Sequence, residues 1–284
     1  MNAEDEIVDA IRAAGFTPQS TVFLGGWRTG RATYRVTLTD GTELKARRHQ
    51  GATRGARAAE FTRALASPAF PAPLAVVGRV TIEAWVSGAT VTERRLDRAL
   101  VDDAAALLAR LHTVSSLPGR RVRAHRSVTG VRERTARHLD VLTAIGVVDR
   151  RDRRTVDRVL RGLPPTALRG LTHGDFCGEN LVLTGPGLVC IDNEAVGLGF
   201  LDEDIARTWS RWPMPAWAWS RFRAAVACAT GRPVDPVADR AWQAVAAVRG
   251  AHRWTRARGT VGDAPVQVLQ RVIVGATAPR ARAT

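Results

Sequence analysis

Lysine is almost missing from this 284-residue chain: of 42 basic residues, 41 are arginine and the one lysine is Lys45. Asparagine occurs three times, at Asn2, Asn180 and Asn193, and tyrosine once, at Tyr34. The three cysteines, Cys177, Cys190 and Cys228, are too few and too scattered for a disulfide framework or a structural zinc site. A reducing compartment fits them, and the expected location is the cytoplasm. No run approaches the roughly 18 consecutive apolar residues of a spanning helix, so no membrane partner is expected. The N-terminus, MNAEDEIVDAIR, is acidic and helix-patterned and does not read as a secretory signal.

What is abundant is Ala, Arg, Gly and Val, spread along the whole chain as a general compositional bias. Net charge is +15, which raises nucleic acid as a partner. The basic segment 118–170 carries 14 arginines against five acids but no aromatic residue, so it makes a poor stacking platform for single strands. Charge on this scale is usually a solvated face. Against such a background the rare residues are informative.

Two of the three asparagines lie in Leu171–Glu194, LTHGDFCGENLVLTGPGLVCIDNE. Leu181–Leu183 and Leu188–Ile191 are short apolar runs around Gly185-Pro186-Gly187, which predicts a β-hairpin. A hairpin brings its two open ends together, and here those ends carry Asn180 and Asp192, close in sequence to Asp175. Oxygen-bearing side chains in such a cluster suit a hard cation such as Mg²⁺. Taken alone, the His-Gly-Asp triplet could equally be an ordinary polar turn.

The Asp-x-x-x-x-Asn spacing of Asp175 and Asn180, with Asp192 beyond the hairpin, resembles the catalytic core of the aminoglycoside phosphotransferase and choline kinase-like family, distant relatives of protein kinases. Asn193-Glu194 after Asp192, in place of Phe-Gly, suits the small-molecule branch. The resemblance implies an α+β, protein kinase-like fold of two lobes. Residues 1–86 would form a nucleotide-binding lobe with a small antiparallel sheet and one main helix. Residues 87–284 would form a mostly helical lobe carrying the catalytic hairpin and the acceptor site. It implies ATP, with GTP as an alternative, and Mg²⁺. Asp175 would take the acceptor proton, Asn180 and Asp192 would hold metal, and His173 and Asp204 would support the catalytic loop. Lys45 would hold the α- and β-phosphates and pair with Glu60, a solvated strand lysine being the bland alternative. Gly25 and Gly30 would flank a phosphate-covering loop whose middle position is Trp27. Ala84 and Val86 would present backbone to the adenine edge. Glu194, Trp209 and Trp212 are candidates for an acceptor pocket.

The pattern along the chain predicts helices at 3–14, 57–65, 96–112, 131–145, 149–160, 215–230, 236–258 and 266–273. It predicts strands at 21–24, 32–38, 42–47, 74–77 and 80–85, with Asp40-Gly41 as a hairpin turn. Arg47, Arg48, His49, Arg54 and Arg57 form a basic stretch that reads as a solvated loop, with a secondary role near the nucleotide phosphates as the alternative. The implied activity is phosphorylation of a hydroxyl on a small molecule, an antibiotic or a metabolite alcohol, with antibiotic resistance as one role. From Arg207 onward 13 arginines face three acids, which weighs against a strongly cationic acceptor. The competing readings are a non-catalytic arginine-rich nucleic-acid binder and a pseudokinase.

Overall fold

The computed structural model describes residues 2–26, 31–117, 120–258 and 263–277. In chain order the elements are α1 (Ala3–Ala13), β1 (Pro18–Gly25), β2 (Ala32–Leu38), β3 (Glu43–Arg48), α2 (Ala52–Leu65), β4 (Ala75–Val77), β5 (Val80–Ala84) and β6 (Ala89–Thr90). Then follow α3 (Arg98–Thr113), β7 (Ser116–Leu117), β8 (Arg120–Arg121), β9 (Ala124–Ser127), α4 (Thr129–Ala144), α5 (Arg150–Leu160) and β10 (Thr166–Thr172). The last part holds β11 (Leu181–Thr184), β12 (Gly187–Cys190), β13 (Gly197–Phe200), α6 (Leu201–Arg211), α7 (Ala216–Thr230), α8 (Pro236–Arg258) and α9 (Asp263–Thr277).

These elements fall into two compact units. One comprises 1–97, 116–121 and 173–197; the other comprises 98–115, 122–172 and 198–284. The segment of Asp175, Asn180 and Asp192 therefore packs with the N-terminal sheet.

In the first unit, β1 to β5 form an antiparallel sheet in the order β1-β2-β3-β5-β4. Strand side chains alternate between faces, and β2 shows it cleanly: Ala32, Tyr34, Val36 and Leu38 are buried, while the residues between them are half-buried. Ile7 and Ile11 of α1 pack on that face with Leu44, Ala46, Val80 and Ile82. Burying each of these large aliphatic side chains contributes about 1.5–3 kcal/mol. The helix start is fixed by Asn2, whose side chain accepts from the Asp5 amide while Asp5 reaches back to the Asn2 amide. Leu44 and Ala46 thus claim one face of β3, and Lys45 and Arg47 project from the other. A second small sheet runs β12-β11-β6, with Val182 opposite Thr90.

The second unit is mainly helical, with a core built around Trp242, Val245 and Val248 of α8 against Leu139, Leu142, Val156, Leu160, Leu269 and Val272. It also holds the sheet β13-β10-β9.

The expected basic loop is corrected. The strand expected at 42–47 runs on to Arg48 in β3, His49 is buried, and α2 begins at Ala52 rather than Arg57. The register of β3 against β5 explains the first change: Arg47 pairs with Thr81 and Arg48 with Val80, so the strand outlasts its apolar residues.

Candidate active site

Strand β10 delivers the chain to His173-Gly174-Asp175. Gly174 has φ +77°, and a Cβ there would sit 3.0 Å from the Ala195 carbonyl oxygen, so a side chain is refused twice over. His173 is fully buried. Its Nδ1 accepts from the Asp175 amide at 3.3 Å, which assigns the ring proton to Nε2. Nε2 then donates to Asn193 Oδ1 at 3.1 Å, and Asn193 Nδ2 donates to the Pro71 carbonyl at 3.1 Å. Phe176 meets the imidazole edge-on, with ring centroids 5.9 Å apart. The loop is thereby tied to the segment before β4 by side chains of two residue types that the sequence uses sparingly.

The hairpin fixes the other end. Leu181 pairs with Cys190, and beyond that pair the Ile191 amide donates to the Asn180 carbonyl at 2.8 Å. Asn180 Nδ2 donates to the Asp175 carbonyl at 2.8 Å. One side chain thus spans the catalytic-loop spacing seen in the sequence. Asp192 follows in the left-handed region with φ +61°, a conformation that Asp adopts more readily than most residues.

A row of alternating charges runs through Asp192. Lys45 Nζ is hydrogen-bonded to Asp192 Oδ1 and lies 3.4 Å from Glu83 Oε2. Lys45 and Glu83 are direct cross-strand neighbours on β3 and β5. One Nη of Arg47 straddles both Asp192 oxygens, at 2.8 and 2.9 Å. Its other Nη lies 3.1 Å from Glu194 Oε2, and its Nε donates to Thr33 Oγ1 at 3.1 Å. Glu194 Oε1 in turn meets Arg31 at 2.6 Å, and His49 Nδ1 is 3.6 Å from Oε2. Burial alone would raise the Asp192 pKa, but the charges of Lys45 and Arg47 outweigh it and hold the carboxyl well below its ordinary range. For Arg47, burial would lower the pKa, and Asp192 and Glu194 overcome it and raise it.

Of the residues expected from the sequence, Lys45, Asp175, Asn180, Asp192, His173 and Glu194 all belong to the first unit and to this region of it. Glu60 is exposed on α2, and the carboxylates placed at the Lys45 ammonium are Glu83 and Asp192. Ala84 is exposed at the end of β5, opposite Leu44, and Val86 follows just outside the strand. Gly25 closes β1 with φ +141°. Gly30 and Trp27 lie outside the described residues. In the second unit Asp204 is buried in the first turn of α6, with Oδ2 2.9 Å from His112 Nε2. Trp212 is buried there against Phe222, and Arg271 lies over the Trp209 ring at 4.8 Å. Arg31 and Glu83 are absent from the sequence reading as members of the charge row, and Arg47 enters it only within a basic stretch whose alternative role lies near the nucleotide phosphates. Only the two-residue spacing of Arg47 from Lys45 on a strand could have signalled it.

Among the described residues no group of three or more His, Cys, Asp or Glu side chains converges as a metal cage. Mg²⁺ keeps waters and takes one or two protein oxygens beside phosphates. Asn180 and Asp192, at the two open ends of one hairpin, offer that donor set.

The family model described as "Phosphotransferase enzyme family" matches residues 13–248. No curated protein matches the chain. Among solved structures, a macrolide 2'-phosphotransferase from Brachybacterium faecium is 17% identical, with 98% of this chain and 99% of that one covered and a TM-score of 0.64. The choline kinase of Streptococcus pneumoniae is 16% identical, over 96% of this chain and 98% of that one, with a TM-score of 0.68. A thermostable mutant of an aminoglycoside phosphotransferase, solved with ADP and hygromycin B, is 16% identical over 96% and 99%, with a TM-score of 0.62. Similarity at this level of identity establishes the protein kinase-like fold.

Proposed function

The chain belongs to the Phosphotransferase enzyme family and is a small-molecule kinase, and from that premise we propose that it transfers the γ-phosphoryl group of ATP, or of GTP, to a hydroxyl group of its acceptor. The observation that carries this reading is the meeting of Lys45 with Asp192 beside a loop in which Asn180 is bonded to Asp175. The side chains that would bind phosphate, hold metal and act as base come from segments more than a hundred residues apart.

Lys45 would hold the α- and β-phosphates, oriented by Glu83 across the strand pair. Asn180 and Asp192 would hold Mg²⁺, which would neutralise the negative charge that develops during transfer. Asp175 orients the acceptor hydroxyl and takes its proton. The hydroxyl oxygen then bonds to the γ-phosphorus as the bond from that phosphorus to the β-bridging oxygen breaks, and ADP leaves with the electron pair. Phosphoryl transfer of this kind depends mostly on positioning and charge. The Asn193 to His173 chain, which fixes the Asp175 backbone, supplies positioning. The backbone at Ala84 and Val86 would receive the adenine edge, and residues 1–86 and 87–284 would act as the nucleotide and acceptor lobes.

The acceptor would be an antibiotic or metabolite alcohol of low positive charge, given the arginine excess after residue 207. A resistance role follows if it is an antibiotic, and nucleotide dependence suits a cytoplasmic enzyme. The test is a nucleotide-consumption screen over antibiotic and metabolite alcohols with Mg²⁺, comparing wild type with Asp175→Ala. Turnover that depends on Asp175 supports the reading. A complete lack of acceptor-dependent turnover, together with no rise in melting temperature on adding ATP or GTP, would overturn it.

A further inference from the structure

Arg47 holds Asp192 in a way that a metal-binding carboxylate would have to give up. Its Nη2 contacts both carboxylate oxygens, at 2.8 and 2.9 Å, so both are engaged at once. The guanidinium side chain is only 10% exposed, and it is anchored at two further points, by Glu194 at 3.1 Å and Thr33 at 3.1 Å. Arg31, Lys45 and Arg47 face Glu83, Asp192 and Glu194, with His49 also 3.6 Å from Glu194, so three positive side chains meet three negative ones in this row. A divalent cation arriving alone would bring two positive charges to a carboxylate already shared by two cations. It would have to displace a buried, well-anchored guanidinium, and burial makes unpaired charge costly on both sides of the exchange. A cation arriving with a nucleotide brings phosphate oxygens that the displaced guanidinium can accept as its new partners.

We infer that Arg47 is a resident counter-cation of Asp192: it competes with the divalent cation for the carboxylate in the nucleotide-free protein and transfers to nucleotide phosphate when the two load together. This rests on the proposed reading of Asp192 as a metal ligand. It makes Arg47 a positioning residue that couples metal and nucleotide binding, separate from the role of Lys45.

The experiment is Mn²⁺ binding followed by electron paramagnetic resonance, without nucleotide and then with ADP, alongside ADP binding in EDTA by calorimetry. Wild type is compared with Arg47→Gln and Arg47→Lys, each checked for a native circular dichroism spectrum. Arg47→Gln should bind Mn²⁺ alone on the order of tenfold more tightly and ADP in EDTA more weakly, so that the mutual enhancement of Mn²⁺ and ADP shrinks. Arg47→Lys, which keeps the charge but loses the fork, should shift the same way by less, and it decides the matter if the glutamine variant does not fold. A residue that merely braced the fold would not raise metal affinity. Mn²⁺ affinity that is unchanged or weaker in a folded variant, with binding beside ADP retained, overturns this inference and leaves the metal reading standing. Lack of Mn²⁺ binding in all three proteins, even with ADP, overturns both.

Discussion

His138 of α4 and His252 of α8 stack face to face, with ring centroids 4.0 Å apart and planes 11° from parallel. Burial first, then the neighbouring His252 and Arg249, push the His138 pKa down to about 4, and burial followed by Arg256 lowers that of His252. Between about pH 6.5 and 4 the unfolded chain therefore binds more protons here than the folded one, so stability falls as pH falls through that window. Thermal melts from pH 7 to pH 4 should show this loss. His138→Phe should flatten it, and an unchanged pH slope would remove the pair as the cause.

Asp175→Ala should reduce turnover by about 10²–10⁴-fold, the usual worth of a positioned base. Nucleotide affinity should change far less than turnover, and the substitution keeps the backbone amide and carbonyl by which Asp175 bonds His173 and Asn180. Single-turnover kinetics and calorimetry on one preparation separate the two effects.

Lys45→Ala should weaken nucleotide binding by roughly tenfold to a hundredfold, the worth of a charge-assisted bond to phosphate. The fold should survive, since Asp192 keeps both contacts from Arg47. Unaltered nucleotide affinity would remove Lys45 from the site.

Asn193→Ala should cost about 1–3 kcal/mol, because it strips the Pro71 carbonyl of a buried donor and removes the Asn193 oxygen from His173 Nε2, which keeps its 3.1 Å contact with Cys190 Sγ. For a chain of this size that is a fall of several degrees in melting temperature. Asn193→Asp keeps the acceptor for His173 but sets a buried carboxylate oxygen against the Pro71 carbonyl, so denaturant titration at neutral pH should place it no higher than alanine.

The catalytic hairpin was legible because its signals are local: two apolar runs, a Gly-Pro-Gly turn, and polar residues at fixed distances from it. Strand β2, expected at 32–38, has those bounds for the same reason, since strict alternation leaves little freedom of face. Helix α8 is likewise found at 236–258, whereas α9 extends the expected 266–273 to 263–277. Strand β10 was not legible: Thr166–Thr172 mixes exposed, half-buried and buried positions, and its partners β9 and β13 are only four residues long. The charge row was hidden for a different reason. Arg47 meets Asp192 across 145 residues of chain, and only its two-residue spacing from Lys45 sets it apart among 41 arginines. Glu83 precedes Ala84, the residue expected at the adenine edge, and only the register of β3 on β5 shows that it faces Lys45.

The left-handed backbone at Asp192 also restricts what can replace it. Most residues lose roughly 1–2 kcal/mol there, whereas Asn and Gly do not. A descendant of this protein that abandoned phosphate chemistry would thus be expected to drift first to Asn or Gly at this position, leaving a silent hairpin of unaltered shape. An inactive relative would then be recognised by that one exchange, with the remainder of its hairpin still resembling a working enzyme's.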